Sequence, residues 1–329
     1  MKTIAFFNNK GGVGKTSLVY HLAWMYADLG LSVIAADLDP QANLTTMFLD
    51  EESLEALWPQ EAPRRTVLGP LLPLLEGEGG IGDPQLTDVG GIGLLAGDLK
   101  LSEFEDELSQ QWPNCLTGRA RPFRVIAAFH QILSHAGRMR SADIALVDVG
   151  PNLGAINRAA LIAADHVAIP LAPDLFSLQG LQNLGPRLRD WRKGWDERLK
   201  QRPEKMDLPS GRMQPLGYVV LQHAVRLDRP VQAYARWMKR IPGVYREAVL
   251  GEAGSPQTTL TIDQDPHCLA TLKNYRSLMP LAQEARKPMF FLKPADGAIG
   301  GHAQAAQACY RDFRTLAQEI ARRAGVSLP

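Results

Sequence analysis

Residues 10–16 read Lys10-Gly11-Gly12-Val13-Gly14-Lys15-Thr16, directly after the apolar run Ile4-Ala5-Phe6-Phe7 and before Ser17. Three glycines in four positions let a backbone curl until its N–H groups converge, and a helix starting near Lys15 adds its own unpaired donors. Together they form a nest for the β- and γ-phosphates of a nucleotide. Gly11, Gly12, Val13, Gly14 and Ser17 supply backbone, Lys15 reaches the β/γ-phosphates, and the Thr16 hydroxyl suits a phosphate-bound Mg²⁺. Lys10 is a second cation at the loop's entrance, an ammonium ion on a flexible stem suited to phosphate oxygens.

Two further strand ends carry carboxylates. Asp37-Leu38-Asp39-Pro40-Gln41-Ala42-Asn43 follows an apolar run, and Asp148-Val149-Gly150-Pro151 follows another. Asp148 is placed to organise Mg²⁺ through water. Asp39, one or two residues past its strand beside a stiffening proline, suits a group that holds water in line with the γ-phosphate and borders the metal. Asp37 competes for either role, and each of the pair also fits an ordinary helix N-cap.

Such groups need a common edge, and the patterning supplies one. Strands are expected at 2–8, 32–36, 91–96, 144–148, 166–171 and 216–221, and helices at 15–29, 122–135, 177–202, 229–240, 267–285 and 303–324. Continuous apolar runs such as Ile144–Val147 fit strands buried on both faces. Strands alternating with helices imply an α/β fold with a doubly wound, mostly parallel sheet and ligands at the strands' carboxyl ends. Residues 50–90 break the pattern with Pro59, Pro63, Pro70, Pro73 and several glycines. They read as a partly helical surface insertion, mobile in places, in a single domain spanning 1–329.

The chain of 329 residues is 45% hydrophobic, ample for a core, and contains no run of 18 apolar residues that would cross a membrane. A strand beginning within three residues of Met1 leaves no room for a signal peptide, and a phosphate loop from residue 10 leaves none for an N-terminal DNA-reading domain. Operator binding is therefore not expected. Cys115, Cys268 and Cys309 stand in no metal-binding spacing and read as reduced thiols of a cytoplasmic protein. Net charge is +1 but unevenly spread. Residues 1–150 hold 11 Lys/Arg against 19 Asp/Glu, whereas 187–246 hold 15 against 6, a local +9. A concentrated basic stretch points to an anionic partner.

The Lys10–Thr16 loop, the Asp37–Asn43 segment, the Asp148–Gly154 strand end and Pro170–Gly180 together resemble the ParA/MinD group of deviant Walker A P-loop ATPases. The resemblance implies an ATP- and Mg²⁺-dependent homodimer with the nucleotides sandwiched between subunits. By matching position, Lys10 crosses to the partner's nucleotide, Lys15 and Thr16 are loop ligands, and Asp39 positions the water. Two departures stand out. Gly150-Pro151 replaces the family's usual two prolines, and the purine-contacting segment is unmatched, Asp265-Pro266-His267 and Arg286-Lys287-Pro288 being the nearest candidates.

Within that group the fork is DNA against membrane. Arg189, Arg192 and Lys193 share one helix face, and Arg236, Lys239 and Arg240 another, with Arg226 and Arg229 nearby. Such faces neutralise phosphates without reading bases. Trp191, Trp195 and Trp237 read as packing residues. The last helix carries Tyr310, Phe313, Leu316 and Ile320 on one stripe, which fits core packing better than a membrane anchor. The expectation is a nucleoid-associated, ParA-like ATPase that binds DNA non-specifically and is stimulated by a ParB-like or other adaptor. A MinD-like membrane-associated ATPase, or a metabolic ligase or amidase of related fold, is the alternative.

Overall fold

The structure is a computed structural model describing residues 1–58, 64–221, 231–252, 260–275 and 277–329, without the side chains of 231–234. Pro59, Pro63, Arg226 and Arg229, named above, lie outside the described residues. Eight strands form one sheet: β1 (Lys2–Phe6), β2 (Val33–Asp37), β3 (Thr87–Val89), β4 (Ile92–Leu95), β5 (Ile144–Asp148), β6 (His166–Leu171), β7 (Gln214–Leu221) and β8 (Cys268–Leu272). Their order is β3-β4-β2-β5-β1-β6-β7-β8, with only the β3–β4 pair antiparallel. The helices are α1 (Lys15–Asp28), α2 (Asn43–Phe48), α3 (Glu51–Leu57), α4 (Leu72–Leu75), α5 (Phe104–Asn114), α6 (Ala120–Ile126), α7 (Ala128–Arg140), α8 (Ala155–Ala163), α9 (Leu175–Leu199), α10 (Val231–Val244), α11 (Met279–Ala285) and α12 (Gly301–Ala324).

The central strands are apolar throughout because both faces are covered. Alternate residues of β1 face opposite cores: Ala5 joins the one containing Leu133, Leu161 and Leu188, while Ile4 and Phe6 join the one containing Leu22, Leu316 and Ile320. Phe313, Leu316 and Ile320 are buried there, and the Tyr26 hydroxyl donates to the Ala317 carbonyl at 2.9 Å, fastening α1 to α12. The apolar stripe of the last helix is thus core.

Three expectations change. The predicted helix at 267–285 begins as β8, which pairs parallel with β7 and only later becomes α11. The predicted helix at 122–135 is two, broken at Ala127, and α5 was not foreseen. The 50–90 insertion is not merely superficial: Val67, Leu68, Leu71 and Leu74 are buried in the main core. Its prolines start the short helices at Gly69–Leu71 and Leu72–Leu75, where a missing N–H costs nothing.

Candidate nucleotide site

β1, β2 and β5 run parallel with Phe6 in register with Asp148 and Asp148 with Asp37, so the three sequence-predicted segments emerge on one edge. The phosphate loop leaves β1 through Gly12 and Gly14, at φ +71° and +86°, a region that excludes most side chains. Gly14 caps α1 in this left-handed conformation and offers no side chain to its N-terminus, leaving those N–H groups for a ligand.

Lys15 is buried beside Asp148 and Asp39. Burial pushes its ammonium toward neutrality, opposed by the attraction of those two carboxylates. The Asp148 carboxyl is pushed the other way, toward protonation, first by burial and then by repulsion from Asp37. Both Asp148 oxygens are buried without a hydrogen-bond partner; the Thr16 hydroxyl is near enough to favour the anion but does not complete a bond. A buried carboxylate with four idle lone pairs beside a threonine hydroxyl is a fitting surround for a hydrated divalent cation, whose charge would restore ionisation. Among the described residues no three His, Cys, Asp or Glu side chains converge as a metal cage.

Asp37 and Asp39 differ sharply. Asp37 is fully buried; it accepts from the Thr45 N–H and hydroxyl, both at 2.8 Å, and from the Asp39 N–H at 3.3 Å. Thr45 in turn accepts from the Gly97 N–H at 2.8 Å. Asp37 thus anchors α2 to the sheet. Burial lifts its carboxyl to about 6 despite these donors. Asp39 spends one oxygen on a tight turn, accepting from the Gln41 N–H at 3.0 Å, and faces the loop after β5: a Cβ on Gly150 would lie 3.2 Å from its Oδ1. A Cβ on Gly11 would lie 4.0 Å from Pro151, so this loop runs beside both Asp39 and the phosphate loop.

Lys10 lies at the rim, half-buried. Its ammonium pairs with Asp174, the N-cap of α9, and sits 5.7 Å from the ring centroid of the exposed Phe176. Burial alone would raise the Asp174 carboxyl, but Lys10 and the Ser177 N–H hold it below its usual range.

Two cavities of similar size, about 270 and 280 Å³, border α1. A cavity of about 270 Å³ opens beside Gly14 and Ser17, walled by Leu221 at the end of β7 and Leu272, Asn274 and Tyr275 at the end of β8. Asp265 is instead spent on the Tyr218 hydroxyl at 2.7 Å and Arg246 at 2.8 Å, and Arg286 and Lys287 line a separate cavity. The wall was missed because β8 was taken into a helix; its short run Leu269-Ala270-Thr271-Leu272 was the available signal.

Over residues 1–201 the chain matches the AAA domain family. It is 31% identical over 201 residues to the chromosome partitioning protein ParA of Caulobacter vibrioides, an alignment covering 61% of this chain and 67% of that protein. The chain belongs to the ParA/MinD family of P-loop ATPases. In fold it is similar to a Corynebacterium diphtheriae protein (TM-score 0.70, 24% identity, 98% of each chain). It is also similar to a Cyanothece McdA variant in complex with ATP (TM-score 0.59, 15% identity, 100% of this chain and 98% of that one). The sheet and its flanking helices are thus those of ParA-like P-loop NTPases.

The basic residues divide on inspection. Arg189 donates to the Ala248 carbonyl, and Arg192 to those of Arg212 and Met213, at 2.6 and 2.9 Å. Both hold the fold together, which weakens them as phosphate ligands. Lys193, Arg236, Lys239 and Arg240 are exposed. Arg236 and Arg240 flank Trp237, 4.5 and 5.3 Å from its ring. Trp191 and Trp195 are core residues.

Proposed function

We propose that this chain is a ParA-like positioning ATPase that closes as a homodimer on ATP and Mg²⁺ and binds DNA non-specifically. An adaptor protein of ParB type then stimulates hydrolysis and releases it. The observation that carries this reading is the contrast between the loop's two lysines. Lys15 is buried among Asp39 and Asp148, turned to its own site. Lys10 sits at the rim in an ion pair whose partner a phosphate can replace, suited to a nucleotide held by a second copy.

In this reading the loop N–H groups and Lys15 hold the β- and γ-phosphates, and base and ribose occupy the cavity beside Gly14 and Leu272. Thr16 and Asp148 hold Mg²⁺, which offsets phosphate charge. Asp39 accepts a hydrogen bond from the attacking water and fixes its line to the γ-phosphorus, positioning being most of what phosphoryl transfer requires. Dimerisation brings two sets of Lys193, Arg236, Lys239 and Arg240 together, and linked sites raise avidity by a factor on the order of 10² or more. Nucleoid association and the distribution of a plasmid, chromosome region or protein cargo follow.

The test is a DNA-binding titration without nucleotide, with ADP and with ATP, repeated on anionic liposomes. ATP-dependent, salt-sensitive binding to DNA of any sequence is expected. Binding to liposomes alone would replace DNA by membrane. Neither, with turnover appearing only on addition of a small carboxylic acid, would indicate a ligase.

A further inference from the structure

The loop after β5 runs beside the phosphate loop at Pro151 and beside Asp39 at Gly150, then enters α8. From within, Asn157 holds it: its Nδ2 donates to the carbonyls of Gly150 at 2.7 Å and Asn152 at 2.6 Å. From outside it is held by a residue of α5, an element entering from the β4–β5 connection. The Glu105 carboxylate accepts from the first two N–H groups of α8, Ala155 at 2.5 Å and Ile156 at 2.8 Å. The helix has no side-chain cap of its own, since its N-cap is Gly154. Gly154 also leaves the room the carboxylate needs: a Cβ there would come within 2.6 Å of Glu105 Oε1 and 2.9 Å of Asn152 Oδ1. One turn later Arg158 lies 4.3 Å over the ring of Trp112 of the same α5. Two charged contacts thus fasten the helix that follows the Asp148 loop to one outer element.

We propose that Glu105 is a positioning residue for hydrolysis: by capping α8 from α5 it fixes where Gly150 and Pro151 stand against Asp39 and the phosphate loop. A carboxylate on two helix-terminal N–H groups makes charge-assisted bonds and meets the positive end of the helix dipole. It therefore sets the position of the backbone it holds more firmly than a neutral cap. The role rests on the reading of the chain as an ATPase. It makes α5 the route by which a change on the molecule's outer face reaches the reacting phosphate, without contact to the nucleotide.

The experiment compares wild type, Glu105→Ala, Gly154→Ala and the double variant in steady-state ATP turnover, with binding of a fluorescent ATP analogue measured alongside. Gly154→Ala evicts the carboxylate without removing it, at a φ of −78° that alanine tolerates. Each single variant is expected to lose about tenfold in kcat, since small misplacements of a positioned group cost that much or more. Analogue affinity should stay within about twofold of wild type. The double variant should be little worse than Gly154→Ala alone, because that substitution already displaces the Glu105 carboxylate. Amide exchange of residues 149–157 with the analogue bound, a readout independent of turnover, should rise in every variant. Wild-type kcat and exchange in Glu105→Ala, or fully multiplicative losses in the double variant, overturn the proposal while leaving the ATPase reading intact. A wild type that binds the analogue but never turns over overturns that reading, and this role with it. Should Glu105→Ala fail to fold, Gly154→Ala carries the test alone, and unchanged kcat in it is the overturning result.

Discussion

Three aspartates at one sheet edge sit in three different environments. Asp37 accepts three hydrogen bonds from Thr45 and Asp39, Asp148 accepts none, and Asp39 accepts one, from Gln41, on the same oxygen that faces the loop after β5. Replacing Lys15 by Ala should abolish ATP binding in calorimetry, because the loop then lacks its buried cation. Asp39→Ala should retain ATP-dependent dimers, seen in sedimentation, while losing turnover by on the order of 10²-fold. Asp37 gives a pH signature. Its carboxyl rises on folding from 3.8 to about 6, so the native state holds a proton that the unfolded chain releases. Its contribution to stability is complete below pH 3.8 and is lost as pH climbs toward 6. Asp37→Asn keeps an oxygen for Thr45 and carries no charge. Relative to wild type it should gain stability between about pH 4 and 6, on the order of 2–3 kcal/mol at the upper end. Denaturant melts across that window check both sign and range.

At the scale of elements, α9 is the longest helix among the described residues, 25 residues from Leu175 to Leu199 behind its Asp174 cap. Midway, Gly185 lets the helix backbone meet the π-helical turn Tyr245–Leu250, where a Cβ would collide with the Ala248 carbonyl. Gly185→Ala should therefore cost about 1–3 kcal/mol in chemical denaturation, as overpacking does. Much of this architecture was readable from the chain. Runs such as Ile144–Val147 are too short and too uniformly apolar for anything but a covered strand, and the glycine loop fixed what lay at their ends. What could not be read were contacts between elements distant in sequence. Glu105 resembles any first-turn glutamate until α8 is folded against it, 50 residues away. Arg189 and Arg192 looked like surface cations because nothing in a helical repeat tells which arginine finds a carbonyl. From Cys268–Leu272 into the first turn of the helix that follows, Asn274, Ser277 and Pro280 are single, scattered breakers rather than a cluster, so a helical reading runs through them and hides β8 and the cavity wall it builds together.

At the scale of the molecule, the charge imbalance of the sequence leaves Lys193 on α9 and Arg236, Lys239 and Arg240 on α10 exposed. Replacing Arg236, Lys239 and Arg240 together by Ala should weaken DNA binding at all sequences alike. It should also lower the slope of log affinity against log salt by about 0.9 for each lost phosphate contact, or roughly 3 if all three touch phosphates. Dimerisation should be untouched, and an unchanged slope would move the DNA face elsewhere.

The position of β1 in the sheet has a consequence for how the protein is made. Its neighbours are β5 and β6: Lys2 aligns with Ile144 and Ile4 with His166. Made before the other strands of the sheet, β1 therefore waits longest for a partner. At about 5–20 residues per second, roughly ten seconds to half a minute of synthesis passes before β5 exists to receive it. Through that interval Ile4 to Phe7, all destined for complete burial, have no sheet to join. The segment that opens the nucleotide loop is thus also the one whose biogenesis leans most on whatever shields nascent chains.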